Sequence, residues 1–379
     1  MTWQTINELT GRRRNLDDNI RQLMIGNETI TCPTRMAAEM NSFFAHIGQN
    51  QQALCGSTTA SMKDFLKEPS PHTLFLMPTT QQEILNTTMK MKNKRSTGHD
   101  HLSPYHLKLL ITSILTPLEI LINRIFSEGE FPSSLKLSKI KPIHKKNDKD
   151  LMTNYRPISL LPAISKIIEK LTHKRIYHFL NAHNILSDNQ FGFRPMLSTT
   201  DALTKFLGDT YNNIDNKNPT IATFLDLSKA FDTIQPSILR EKLHHYGIRG
   251  IALKLITSYL NDRTQYCMVN GFQSQTTTTP PHGVPQGSVL GPLLFIIYTN
   301  DLENALKHTS LIQFADDTTL YCSGPNTNQQ IANMNYDLQK IFAYFSANSL
   351  QANASKTNYM IIHPTRDYTG HTPLTINNT

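Results

Sequence analysis

Two adjacent carboxylates, Asp316 and Asp317, follow Phe314-Ala315 and sit between apolar residues and the β-prone run Thr318-Thr319-Leu320-Tyr321. Side chains alternate along a strand, so neighbouring acids have no place inside a buried one. At the tip of a hairpin both can project into a cleft. There they repel each other unless a cation lies between them, and a divalent metal is the usual answer. Alone, an Asp-Asp pair reads more simply as a solvated turn, because Asp favours turns. The upstream sequence decides the matter.

Ile221-Ala222-Thr223-Phe224-Leu225-Asp226-Leu227 reads as a buried strand ending in an acid, 90 residues before Asp316. If the two strands are neighbours, three carboxylates converge and could hold two magnesium ions about 3.5–4 Å apart. Mg²⁺ prefers oxygen ligands and shares them with substrate phosphates. From residue 221 the predicted order is strand, helices, hairpins, helix, strand. That pattern implies an α+β fold with an antiparallel sheet, helices on one face and the acids at one sheet edge. Helices are expected around 36–44, over 81–93, over 104–128 with a break near Pro117, and over 163–181 and 199–214. Further helices are expected over 237–246, stopped by Gly247, over 250–260, and over 288–306 with Ser288 as cap. Ile331, Met334, Leu338, Ile341, Phe342 and Phe345 form one more helical stripe. Asn270-Gly271 predicts a type I′ hairpin. Strands are expected between Leu137 and Pro162 and at Tyr359–Ile362. Pro69, Pro71 and Pro78 mark 67–80 as a linker.

Charge points to a polyanionic partner. Residues 90–175 hold 17 Lys and Arg against 7 Asp and Glu, whereas the whole chain carries a net charge of only +8. A solvated surface would also accommodate such a run. Cys32, Cys55, Cys267 and Cys322 form no CxxC pair, so neither a zinc site nor a disulfide framework is supported, and reduced intracellular thiols fit. The longest apolar run, Val289 to Tyr298, is interrupted by Gly291 and Pro292. It is too short to span a bilayer, so no membrane partner is expected.

Phe224-Leu225-Asp226-Leu227-Ser228-Lys229-Ala230-Phe231-Asp232 resembles the first catalytic motif of reverse transcriptases. His282-Gly283-Val284-Pro285-Gln286-Gly287-Ser288-Val289-Leu290-Gly291-Pro292-Leu293 resembles the second, and Phe314-Ala315-Asp316-Asp317 the third. Asn154-Tyr155-Arg156-Pro157-Ile158-Ser159-Leu160-Leu161 is similar to a fingers motif of the same family. The forms are those of non-LTR (LINE-type) retrotransposons, jockey-like in detail, and the likeness covers roughly residues 85–365. The resemblance implies a right-hand polymerase with fingers and palm, the palm a small antiparallel sheet backed by helices. Residues 1–84 would correspond to the segment between an endonuclease and the polymerase. Residues 85–220 would be fingers with part of the palm entry, 221–365 palm, and 366–379 a truncated start of the primer grip. On this reading the thumb is missing and the chain is a fragment or a decayed copy.

The resemblance also implies roles. Asp226, Asp316 and Asp317 would be the catalytic, metal-holding acids, with two Mg²⁺ and Mn²⁺ as a substitute. Lys141 and Arg156 would grip the triphosphate, Arg as a planar fork and Lys as a point charge. Phe231 would lie under the sugar and exclude a 2′-hydroxyl, the group that separates ribo- from deoxyribonucleotides. Gln286 and Gly287 would border the incoming nucleotide. Lys356 would give a proton to pyrophosphate, or be a surface residue. Gly192, Phe193 and Arg194 would track the template, Phe by stacking and Arg by holding phosphate. Asp232 matches the motif and reads as structural. The implied activity is RNA-directed DNA polymerisation on an RNA template from a DNA primer, with dNTPs, in the nucleus. Alternatives are a maturase or RNA-templated RNA polymerase, and a non-catalytic nucleic-acid binder descended from a polymerase. Sequence does not give the oligomeric state.

Overall fold

A computed structural model describes residues 19–52, 59–280, 282–353 and 356–365. The chain begins with hairpin β1 (Leu23–Ile25) and β2 (Glu28–Ile30), then helices α1 (Pro33–Gln52), α2 (Gln81–Met89) and α3 (Pro104–Glu128). Strands β3 (Leu137–His144) and β4 (Tyr155–Leu160) precede helices α4 (Ala163–Ala182) and α5 (Thr199–Asp215). Strand β5 (Thr220–Leu225), helices α6 (Pro236–His245) and α7 (Gly250–Leu260), and strands β6 (Thr264–Val269), β7 (Phe272–Gln273) and β8 (Thr277–Thr278) follow. Helix α8 (Leu290–Tyr298), strands β9 (Ser310–Phe314) and β10 (Asp317–Ser323), helix α9 (Thr327–Ala347) and strand β11 (Asn358–Ile362) complete the described chain. Residues 366–379, Cys55 and Arg12-Arg13-Arg14 lie outside the described residues.

Besides the two-stranded β1–β2 hairpin, the described elements build two larger sheets. One has the order β11-β5-β10-β9, antiparallel throughout. Thr318 pairs with Leu225 at the end of the β5–β10 ladder, so Asp226 and Asp317 come next on adjoining strands. The acids thus stand at the ends of the two inner strands; the expectation of a sheet edge is corrected by this register. Helices on one face only is also corrected. Ile221, Leu225, Leu311 and Leu320 point into the main core with α9. Ala222, Phe224, Ile312 and Tyr321 point the other way, against Phe191 and against Ala202 and Phe206 of α5. Strand alternation gives each face its own core.

The second sheet has the order β4-β3-β6-β7, with β8 also on β6. β3 and β4 are antiparallel, and β3 and β6 parallel. Asn270 and Gly271 both have positive φ, 49° and 85°, as a type I′ turn requires. The polar segment before residue 85 does more than connect. Met36, Met40 and Phe44 of α1 and Leu23 of β1 share a core with Ile140, Tyr155, Cys267 and Val269 of this sheet.

Helix α3 starts on a Ser103 cap and ends on Gly129 at φ 67°. It runs unbroken through Pro117, against the expectation of a break. Pro removes one backbone donor, but Ile111 before it and Leu118 and Ile122 after it are all held in the same core. By length and composition α3 could cross a bilayer; one face packs in the core, and Leu109, Leu110, Ile120 and Leu121 are exposed on the rest of it. Two other helices are shorter than expected: α2 ends at Met89 and α8 at Tyr298. After α8 the chain turns so that Asp301 reaches the buried ammonium of Lys242 at 2.6 Å.

Candidate active site

A loop joins the two sheets. Gln286 O accepts from Ser159 N of β4 at 2.7 Å. At its other end, Gly283 N donates to Ile234 O at 2.7 Å and Val284 N to Phe231 O at 2.9 Å. Gly283 has φ 72°, and a Cβ there would lie 2.8 Å from Asp232 Cα, so only glycine fits this approach. Between the sheets opens a cleft of about 920 Å³.

Asp226, Asp316 and Asp317 all line this cleft, together with Lys145, Lys146, Arg156, Lys229 and Lys356. Lys356 Nζ donates to Asp226 Oδ2. The segment before it is fastened to the end of β5: Asn353 N donates to Asp226 O at 2.7 Å and Ser228 N to Gln351 O at 2.8 Å. Partial burial, and then the carboxylates of Asp316 and Asp226, raise Asp317 above the ordinary carboxylate range, while Lys356 and Lys145 pull it down. Asp317 therefore feels both of the other acids. Among the described residues the three acids do not close around a single ion by themselves.

Arg156 projects from β4 opposite Ile143 and lines the cleft, as do Phe231, Gln286, Gly287 and Phe193. Phe231 stacks on Phe295 with centroids 5.1 Å apart and meets Phe193 edge-on at 5.9 Å. Gln286 Nε2 donates to Asp232 Oδ2 at 2.7 Å. Burial pushes the Asp232 carboxyl up to about 6. Three expected residues are placed elsewhere. Lys141 pairs with Ile158 on β4 and is absent from the cleft lining. Gly192 packs against the Ala315 backbone, where a Cβ would approach within 2.0 Å. Arg194 donates to Ser187 O at 2.7 Å, within its own loop.

A family profile described as "Reverse transcriptase (RNA-dependent DNA polymerase)" matches residues 143–373. The chain belongs to the reverse transcriptase family. It is similar to the RNA-directed DNA polymerase from mobile element jockey of Drosophila melanogaster, 30% identical over 273 residues, 70% of this chain and 30% of that protein. The probable RNA-directed DNA polymerase from transposon BS of the same species is 31% identical over 308 residues, 78% of this chain and 33% of that protein. A third such protein, from transposon X-element, is 30% identical over 283 residues, 73% of this chain and 31% of that protein. The chain spans about a third of the length of these relatives. The jockey-like likeness seen in the motifs is borne out.

In this reverse transcriptase chain, sequence reasoning missed Lys145 and Lys229. Lys145 lies just past β3, and its N–H donates to Asn154 O at 2.9 Å. Burial, Arg156 and Lys356 lower its pKa, and Asp226 opposes them. Counting two residues at a time from Lys141 along β3 reaches Lys145 on the same face, nearer the acids. Lys229 sits three residues after Asp226 in the first motif. Burial comes first in lowering its pKa, with Arg156 and Lys356 adding to it against Asp232.

Proposed function

We propose that this chain is an RNA-directed DNA polymerase that extends a DNA 3′-hydroxyl on an RNA template in retrotransposition. One observation carries the reading: the β5–β10 register brings Asp226 beside Asp316-Asp317, in a cleft whose other charged residues are all cationic. Carboxylate oxygens facing room for phosphate fit Mg²⁺, or Mn²⁺ in its place. Bound there, divalent ions would stabilise the charge that develops on the transferring phosphoryl group and its leaving oxygen.

The chain's own residues supply the rest. Asp226, Asp316 and Asp317 hold the negative side of the site. Arg156 offers a planar fork to the triphosphate, and Lys145, in place of Lys141, a point charge. Lys356 gives up Asp226 when the substrate arrives and donates its proton toward pyrophosphate. Phe231, braced by Phe295, fills the space a 2′-hydroxyl would need. Gln286 and Gly287 border the nucleotide, and Phe193 offers a face for a template base. Lys141 lies on the flank, where template phosphates would pass. The four-stranded sheet then serves as palm and the β3–β4–β6 sheet as fingers, so β6–β8 join the fingers although they lie within 221–365. The nucleus, where chromosomal DNA lies, is the proposed compartment.

Primer extension on poly(rA)/oligo(dT) with Mg²⁺ tests the reading. The wild-type chain should extend. Asp316→Ala should lose extension by about a hundredfold or more, several kcal/mol of transition-state stabilisation, while keeping template–primer binding. Template–primer binding with no extension by the wild type would favour the non-catalytic binder.

A further inference from the structure

Phe314 and Asp317 pair across the β9–β10 hairpin, so Ala315 and Asp316 are its two-residue loop. Ala315 has φ 60°. Positive φ at the first loop position and not the second belongs to the turn class that prefers glycine there. An alanine held in that region is strained, and something nearby must fix it. Gln190 does so. Its side chain is 3% exposed. Oε1 accepts from Ala315 N at 3.0 Å, and Nε2 donates to Ala315 O at 3.2 Å. One amide thus satisfies both backbone polar groups of the residue next to Asp316. The same Oε1 accepts from Gly192 N at 2.7 Å, and Gly192 abuts the Ala315 backbone. Phe191 N donates to Gln313 O at 2.8 Å, and Gln313 N to Asn189 O at 2.8 Å. Residues 189–191 therefore lie along β9.

We propose that Gln190 is a positioning residue that fixes the turn bearing Asp316 and Asp317 and ties it to the loop carrying Phe193. The inference rests on the reading of these acids as a metal site. Gln190 touches neither nucleotide nor metal; it acts through the Ala315 peptide groups. A glutamine is suited to this because a single planar amide presents an acceptor and a donor side by side. A methionine has the length without either group. A glutamate keeps the acceptor, and supplies the donor only when protonated.

The test is Mn²⁺ binding, followed by electron paramagnetic resonance on the whole chain with template–primer present, alongside Mg²⁺ titration of primer extension. Gln190→Met should raise the half-saturating Mn²⁺ concentration about tenfold or more, the usual loss when a residue behind a metal ligand is removed. It should lower kcat more than it raises the KM for dNTP. Gln190→Glu should be as weak as Gln190→Met at pH 8. Relative to wild type at each pH, it should recover as the pH falls toward 6 and the carboxyl regains its donor. Phe206→Leu, in the core behind the same loop, controls for loss of stability and should leave the Mn²⁺ requirement unchanged. Equal Mn²⁺ requirements for wild type and Gln190→Met, a matching rise in Phe206→Leu, or no pH-linked recovery in Gln190→Glu would overturn the proposal. Absence of Asp316-dependent Mn²⁺ binding would overturn it as well. Absence of primer extension, with the Gln190→Met effect on Mn²⁺ intact, would overturn the polymerase reading and leave this one standing.

Discussion

The two sides of the cleft are built in opposite ways. On the floor, Asp226 and Asp317 stand at the ends of adjoining inner strands and Asp316 in the turn beside them, with a packed core on each face of the sheet. Their placement is a matter of backbone register, and a slip of one residue would turn each side chain to the other face. On the wall, Arg156 and Lys145 are exposed, long side chains on a sheet drawn from separate stretches of chain and propped by α1. Their charge reaches the cleft through flexible stems. A floor set by hydrogen-bonded strands suits groups that must hold their spacing. A wall of flexible cations suits a ligand that arrives and leaves.

The largest effect is therefore expected on the floor. Asp226→Asn keeps the shape and removes one charge; extension should fall by about a hundredfold or more. The melting temperature should move little, because the ion pair lost with Lys356 is partly exposed and contributes at most about 1 kcal/mol. A large loss of stability would show that the acid is structural and would erase the contrast. The next effect is on the support of the wall. Met40 is fully buried between α1 and the second sheet. Met40→Ala should cost about 2–5 kcal/mol of stability, and in the folded fraction it should raise the KM for dNTP more than it lowers kcat. If kcat fell and KM held, α1 would be supporting the floor.

The same contrast explains what could be read in advance. The floor was legible because its signals are local: an apolar run ending in Asp226, an acidic doublet between β-prone runs, and glycines where backbones meet. The Asn270-Gly271 turn was legible for the same reason. The wall depends on long-range pairing. Nothing near residue 36 announces that Met36, Met40 and Phe44 will pack on β3 and β6, because a helical apolar stripe does not name its partner. The parallel pairing of β3 with β6 joins residues more than a hundred positions apart. Lys141 and Lys145 share a strand face, and only the end point of β3 shows which one reaches the acids. Gln190 was hidden too, since a buried amide in a loop carries no periodic signal.

Substitutions among the wall cations sharpen the comparison. Arg156→Ala removes the fork and should raise the KM for dNTP by about tenfold or more, as expected for a hydrogen bond to a charged group. Template binding should change less. Lys145→Ala should raise it by a smaller factor, because a single point charge is lost. Lys141→Ala should leave the KM for dNTP nearly unchanged, and any effect should fall on template affinity and its salt dependence. Steady-state kinetics of the three variants on one template decide the order. If Lys141→Ala were the worst of the three, the strand end would have been misjudged and Lys141 would return to the triphosphate. Phe231→Ala should weaken the preference for dNTP over rNTP, and unchanged discrimination would remove the steric argument from the ring.

The smallest effect concerns the joint between floor and wall. Asp232 holds Gln286 by a 2.7 Å hydrogen bond, and burial raises its carboxyl to about 6 from an ordinary 3.8. Between those values the folded chain binds more protons than the unfolded one, so stability falls as pH rises. The cost is complete above about pH 6 and is relieved as the pH drops toward 4. For this part-buried group it is on the order of 1–3 kcal/mol. Asp232→Asn removes the titration and keeps an oxygen for Gln286. The difference in unfolding free energy between the variant and wild type should therefore grow in the variant's favour from pH 4 to pH 6 and then level off. Other groups that titrate in that range are common to both proteins, and taking the difference cancels them. A flat difference across that window would mean that Asp232 ionises in the ordinary range and that Gln286 is held by a solvated acid.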